Sequence, residues 1–508
     1  MRQNIKKLSI LGLAFIFAAL GIFGWSFSPK ASGQSRVALF SLSETPQKKA
    51  DETSIASVKE SEININLAGF TPENSALLSF PLFDGKTYEA VRDNAEGIEV
   101  RGAGDFTWRG KLIGTGEFRG DVMLTVKKGF VSGLIYAPNT VYEIVPRKNK
   151  QVLVEINQSE FPECSGEIKP QQVETNVPQT DQNVAATAQI DSGDRIDVLI
   201  VYTTAVKNFL GGDAQAQAFA QQAIATTNTV YRNSQIRQRL RLAHAQEFVY
   251  TESGTGGTDL SNVRTNAEVN ALRETHKADL VGLVVNTLDG CGIGYLMNVL
   301  GTGFSPYGYT VTARNCAVGN LSLAHEFGHN MGSAHNPENA TGTAFPYSYG
   351  HYVNGVFRTV MSYTEPCTSG CPRAPYLSNP LISFNGHPTG VANQRDNARS
   401  INNTADTVGN FRYSGTSLTL NNFNSGERIP RNISRTIMWS SENLTGNVRI
   451  EISRDGGTTY TTLIANTPND GTETINIFGR STRQARLRIV SIDNPHISDT
   501  SVNNIVIR

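Results

Sequence analysis

The chain has 508 residues, too many for one ordinary domain, and 39% of them are hydrophobic, enough for ordinary globular cores. Lysine plus arginine and aspartate plus glutamate both number 45, so the formal net charge is zero. That balance argues against a nucleic-acid surface and against a solvated acidic tail.

Residues 1–33 read as a secretory signal. MRQNIKK carries Arg2, Lys6 and Lys7, an apolar run extends from Leu8 to Trp25, and Ala31-Ser32-Gly33 offers small residues for cleavage. An uncleaved membrane anchor is the less favoured reading, raised because the run approaches the length of a span. A secreted, extracellular protein is therefore expected. Residues 34–168 come next. They open polar and then alternate with a period of two, as in DVMLTVKKGFVSGLIYA and QVLVEINQ, with no helix-length segment between. This predicts a β-rich domain. Residues 169–193 are rich in Gln, Thr, Asn and Pro and lack apolar periodicity, which predicts an exposed linker.

Residues 194–413 change character. IDVLIVY, from Ile196, is a continuous apolar run, as in a strand covered on both faces. A helix is predicted from Asp213 to Tyr231, a strand from Leu240 to Tyr250, a second helix from Asp259 to Lys277 and a buried strand from Ala278 to Asn286. A helix-like stretch carrying Ala398, Ile401, Ala405 and Val408 closes the region near Gly409. Strands alternating with helices predict an α/β domain. In residues 414–508 the helical signal vanishes, and short alternating strands at regular spacing predict a C-terminal β-sandwich. The whole is thus multidomain.

Three of the eight histidines fall in HEFGHNMGSAH, His325 to His335. On a helix, His325 and His329 lie one above the other at a spacing that suits one zinc ion. Glu326 is about 100° round the helix, beside the metal but off its ligand set, where it can take a proton from the attacking water. Gly332 can end the helix in the left-handed conformation and bring His335 back as the third ligand. Three protein ligands predict one catalytic zinc ion with an open fourth position. Calcium is not indicated.

HExxHxxGxxH resembles the metzincin clan of zinc endopeptidases. The flanking text CAVGNLSLAHEFGHNMG and the later NPLISFNGHPTGVANQRDNARSINNTADTVGNFR resemble its reprolysin-like bacterial branch, including the peptidyl-Asp metallopeptidases, over about residues 196–412. The resemblance implies a metzincin catalytic domain, residues 34–168 as a propeptide domain, and hydrolysis of protein or peptide substrates. It implies that Met361, in VMSY, is the methionine turn beneath the metal and that Ser362 and Tyr363 help shape the S1′ wall. It also implies that Cys164, in PECSG, acts as a cysteine switch filling the fourth metal position in a zymogen. Resemblance to the peptidyl-Asp group further implies cleavage before acidic residues, which needs a cation in the S1′ pocket. The stretch offers Arg358, Arg373, Arg395 and Arg399, and Arg373, in CPRAPY, is the choice.

The other four cysteines can pair in three ways, of which Cys291–Cys316 with Cys367–Cys371 is favoured; the second pair would close a short loop. His244, His276, His351, His387 and His496 are scattered and read as structural or surface residues. SRDGGTTY, Ser453 to Tyr460, resembles an Asp-box; its functional reading is a carbohydrate or protein surface as partner, and its structural reading is a hairpin turn. The competing function is a secreted adhesion or binding protein on a metzincin scaffold. Retention of Glu326 beside all three ligands favours the enzyme.

Overall fold

The computed structural model describes residues 36–170 and 191–508, apart from 44, 49–55, 95, 117, 119, 139, 368 and 369. The expected signal, residues 1–33, and most of the expected linker lie outside the described residues. Among the described residues no helix is long and apolar enough to cross a membrane.

Twelve strands between Arg36 and Ile156 form one sheet, antiparallel except where Arg36–Ala38 joins Leu77–Pro81. The alternation seen in the sequence sorts side chains to two cores. On the strand Asp121–Lys127, Val122, Leu124 and Val126 face the sheet's own core with Leu112, Ile135 and Leu153. Met123 points the other way, and with Leu134, Tyr136, Val145 and Val154 it joins the core of the region that follows.

That region is built on six strands: β1 (Glu167–Ile168), β2 (Arg195–Thr203), β3 (Arg239–Phe248), β4 (Leu280–Val285), β5 (Gly292–Tyr295) and β6 (Tyr309–Ala313). Their order is β1-β5-β6-β4-β2-β3, and all neighbours are parallel except β5 with β6. The long helix α1 (Asp213–Asn233) lies between this sheet and the N-terminal one, and Gln222 Nε2 donates to the Met123 carbonyl at 3.3 Å. Helix α2 (Ser322–Asn330) packs on β5 and β6, and α3 (Asn397–Val408) closes the region.

Three expectations need correction. The single helix from Asp259 to Lys277 is two, Gly256–Thr265 and Ala267–Thr275. Asn266 stands extended between them, and its side chain accepts the Val269 N–H at 3.0 Å, so the asparagine starts a new helix instead of continuing the old one. Residues 167–168, assigned by pattern to the end of the first domain, are strand β1 on the edge of the second sheet. The linker's last residues are packed rather than exposed: Asp191 is buried and accepts both the N–H and the hydroxyl of Ser414, at 2.7 and 2.8 Å.

Residues 417–507 form a three-stranded and a six-stranded sheet around one core that includes Leu418, Trp439, Ile450 and Leu487. In SRDGGTTY, Asp455 Oδ1 accepts from Ser453 Oγ at 2.7 Å and from the Thr459 N–H at 2.8 Å. The turn faces inward, where the Asp455 carbonyl accepts from Gln235 Nε2 at 2.8 Å and Arg488 lies 3.6 Å over the Tyr460 ring.

Glu143, on the N-terminal strand Thr140–Arg147, is buried against the segment leading into α2. Burial pushes its carboxyl up from 4.5 to about 8, against the opposing pull of Arg314, Arg147 and the Gly319 N–H. The docked form therefore holds the extra proton. Its contribution is full below the ordinary value and lost as pH rises through about 8. Glu143→Gln is expected to melt with the wild-type chain at pH 4.5 and a few degrees above it at pH 8.5. Calorimetry across that range reads the outcome; parallel curves would remove Glu143 from the docking balance.

Candidate active site

All nine residues of α2 are buried, which fixes its rotation against β5 and β6. The helix is left at Gly332, whose φ of +82° is the left-handed turn expected there. A Cβ at that position would also lie 2.8 Å from Ala344 Cβ. The turn returns His335 to the face that carries His325 and His329. The three Nε2 atoms lie 3.1 to 3.2 Å from one another. Behind them, His325 Nδ1 donates to the Val360 carbonyl at 2.8 Å and His329 Nδ1 to the Ser333 carbonyl at 2.9 Å. His335 Nδ1 stands 2.8 Å from Glu167 Oε2. Commitment of the Nδ1 protons of His325 and His329 leaves their Nε2 atoms with lone pairs inward.

Burial pushes the His325 imidazole well below its ordinary value and His329 down to about 3, so both are neutral. Three imidazoles aimed at one point suit a divalent cation. Tetrahedral ligation at zinc–nitrogen bonds of ~2.0–2.1 Å spaces the nitrogens about 3.3 Å apart. Cys164 Sγ lies 3.2 Å from His335 Nε2 and completes a four-residue cluster whose ligand atoms fall within 4.8 Å of one another. The donor set therefore fits zinc.

Met361 is fully buried beneath α2. A Cβ on Gly328 would approach its Sδ to 2.6 Å, so the glycine inside HEFGH lets the helix sit directly on the methionine. The other wall is β5, where a Cβ on Gly292 would lie 2.6 Å from Glu326 Oε1. Glu326 is fully buried, and neither of its carboxyl oxygens has a hydrogen-bond partner. Burial pushes this carboxyl well above its ordinary range, with Arg373 pulling the other way.

The remaining site residues divide. Tyr363 stands beside the histidines, its hydroxyl 2.8 Å from Cys164 Sγ and its ring centroid 4.1 Å from that of His335. Ser362 is buried, and its carbonyl accepts from Arg358 Nη1 at 2.9 Å. Arg373 is buried near Glu326, and its Nη1 donates to the Asn320 carbonyl at 2.8 Å. Arg395 pairs with Glu338 instead, and Arg399 lies over the Tyr347 ring, so neither joins the cluster. The disulfides join Cys291 with Cys316 and Cys367 with Cys371, leaving Cys164 free. The first ties the approach to β5 to the segment before α2, bracing both walls. Sequence reasoning missed Glu167, Gly292 and the burial of Arg358; only the alternating glycines of CGIGY carried a local signal.

Residues 192–378 match the family model Reprolysin_5, described as metallo-peptidase family M12. A peptidyl-Asp metalloendopeptidase of Stenotrophomonas maltophilia is 32% identical over 408 residues, covering 75% of this chain and 91% of the relative. One from Xanthomonas campestris is 30% identical over 363 residues, covering 68% and 84%.

Gly292→Ala tests the fit of the wall. The added methyl must displace the Glu326 carboxyl at a cost of about 1–3 kcal/mol. Bound zinc is expected to stay near one equivalent while turnover falls at least about tenfold. Unchanged turnover in a folded variant would show that this wall does not position Glu326.

Proposed function

The chain belongs to the M12 metallopeptidases with these peptidyl-Asp relatives and is a zinc metalloendopeptidase; from that premise we propose how it cuts, where it works and how it is kept silent. His325, His329 and His335 would hold the zinc ion. When bound, zinc supplies Lewis-acid chemistry, polarising the peptide carbonyl and making a water acidic enough to attack near neutral pH. Glu326 takes the proton of the attacking water on a carboxylate oxygen and passes it to the leaving amine nitrogen. Gly292 and the buried surroundings hold that carboxylate in place and keep bulk water out. The observation carrying this reading is the pair of unpartnered Glu326 oxygens beside three converging imidazoles.

The same reading makes residues 34–168 a propeptide domain. Cys164 occupies the position that water and substrate need, and β1 covers the free edge of β5, where an extended peptide would add as a strand. Residues 1–33 direct secretion, and two disulfides suit an oxidising compartment. Residues 414–508 are an appended β-sandwich. Cleavage before acidic residues is the proposed specificity, with Arg373 as the cation.

Glu326→Gln is expected to retain zinc by metal analysis and lose about 10²–10⁴-fold in turnover of a quenched peptide. Metal loss equal to that of His329→Ala would reassign the glutamate to the ligand set. Cys164→Ser is expected to make the uncut chain active on the same peptide, with integrity checked by mass spectrometry. Latency equal to wild type would leave silencing to the sheet contacts alone.

A further inference from the structure

The segment that brings Cys164 to the histidines carries a second side chain that metal ligation does not explain. Glu163 is held by backbone on β5's side of the cleft: its carbonyl accepts the Cys291 N–H at 3.0 Å, and two residues on, the Ser165 N–H donates to the Gly292 carbonyl at 2.7 Å. Neighbouring side chains of an extended segment point to opposite sides. Cys164 points to the histidines, and Glu163 points away from them toward two arginines. Glu163 Oε2 lies 3.6 Å from Arg373 Nη2 and 3.9 Å from Arg358 Nη1, while Oε1 accepts the Thr364 N–H at 2.6 Å.

The two arginines are a built pair. An isolated backbone bridge sets them side by side, with the Arg358 N–H donating to the Pro372 carbonyl at 3.1 Å and the Ala374 N–H to the Arg358 carbonyl at 2.8 Å. Their side chains are 1% and 2% exposed. Each gives one nitrogen to a backbone carbonyl, and the Nε of each has no partner. Burial and mutual repulsion pull the Arg358 guanidinium down to about 9, and Glu163 is the group that opposes this. Among the described residues no other carboxylate lies within 4 Å of either arginine. Two buried like charges are costly unless an anion joins them. The anion here comes from the segment that must leave before substrate enters.

We propose that Arg358 and Arg373 together form the pocket for an acidic substrate side chain, and that Glu163 fills it in the uncut chain as an internal mimic of substrate. The pro-segment is then latched at two points, the metal and the specificity pocket. Arg358 becomes the second specificity-determining cation beside Arg373. The proposal rests on the peptidase reading of the site.

The test uses the full chain and reads the latch without turnover, through the labelling rate of the single free thiol, Cys164, by a maleimide. Glu163→Gln keeps size and hydrogen bonding and removes the charge; it is expected to speed labelling roughly tenfold, as loss of a buried charged contact implies. Glu163→Asp is expected to stay within about threefold of wild type. An unchanged melting temperature in both separates unlatching from unfolding. Equal labelling of wild type and Glu163→Gln would overturn the proposal. A second arm places Cys164→Ser in the same chain and compares peptides with Asp or Asn after the cut. Arg358→Gln is expected to collapse the Asp preference, and a preference left intact would overturn the pocket. Faster labelling in Glu163→Gln combined with no turnover of any peptide, even after the Cys164→Ser chain is cut between residues 170 and 191 and its N-terminal part removed, would sink the peptidase reading and leave the latch standing.

Discussion

Three imidazole lone pairs directed at one buried point are the constraint on which the rest of the structure depends. Ring nitrogens 3.1 to 3.2 Å apart repel unless a cation or a proton sits between them, so everything around them must hold the rings in place. Carbonyls of Val360 and Ser333 fix two of the rings by Nδ1. The left-handed turn at Gly332 brings the third across, and Met361 under Gly328 sets the height of the helix. The parallel sheet supports all this from one side, since β5 and β6 are the strands on which α2 lies. Disulfide Cys291–Cys316 then links the two walls covalently across 25 residues. A loop of that size restricts the unfolded chain by about 3.5 kcal/mol in the entropic account.

The same sheet has a weak point. Without β1, β5 is an edge strand, with unpaired donors and acceptors beside the three histidines. An open edge is both a hazard and a docking place. Here the segment 163–168 takes it, with the Leu296 N–H donating to the Ile168 carbonyl at 2.9 Å at the far end. Pairing fixes the register, and register delivers side chains: Cys164 to the histidines, Glu163 to the arginines and Glu167 to the back of His335. Strand addition is therefore the means by which one short polar stretch meets three different partners at once.

What could be read in the sequence follows from which interactions are local. The convergence of the three histidines and the turn are encoded within eleven consecutive residues by helix period and one glycine, so they were legible. So were the α/β alternation and the buried strand at Ile196, because apolar runs report burial on both faces. The break at Asn266 was missed because apolar spacing continues through it while a side-chain cap overrides the pattern. Residues 163–168 show no periodicity, and their strand exists only because β5 offers an edge 124 or more positions later. The pairing of Glu163 with Arg358 and Arg373 joins residues about two hundred positions apart; nothing local marks a charge that will be buried opposite them. Arg373 was chosen on its place after the methionine turn, but Arg395 and Arg399 offered the same argument. Only the fold separates them, by turning those two to Glu338 and Tyr347.

The two ends of the linker are anchored independently. On one side Lys169 Nζ donates to the Thr341 carbonyl at 2.6 Å and Glu167 Oε1 accepts the Thr341 N–H at 2.9 Å. On the other, Asp191 is held by Ser414 and Asn410, and Asp194 by the buried Arg237, which also pairs with Asp406 and Asp499. A cut between Pro170 and Asp191 breaks none of these contacts. It frees chain entropy but leaves the N-terminal sheet on α1, β1 on β5, and both latch residues in place. Under the zymogen reading, departure of the pro-domain is then a separate step governed by non-covalent terms. The apolar face around Met123 and Tyr136 resists it at any pH, whereas the protonated Glu143 holds less firmly as pH rises. On the two-point latch proposed above, Arg358 and Arg373 would act in both directions, because the charge that retains Glu163 would also favour its replacement by an acidic substrate. Activation would then be assisted by the kind of peptide the enzyme is proposed to cut.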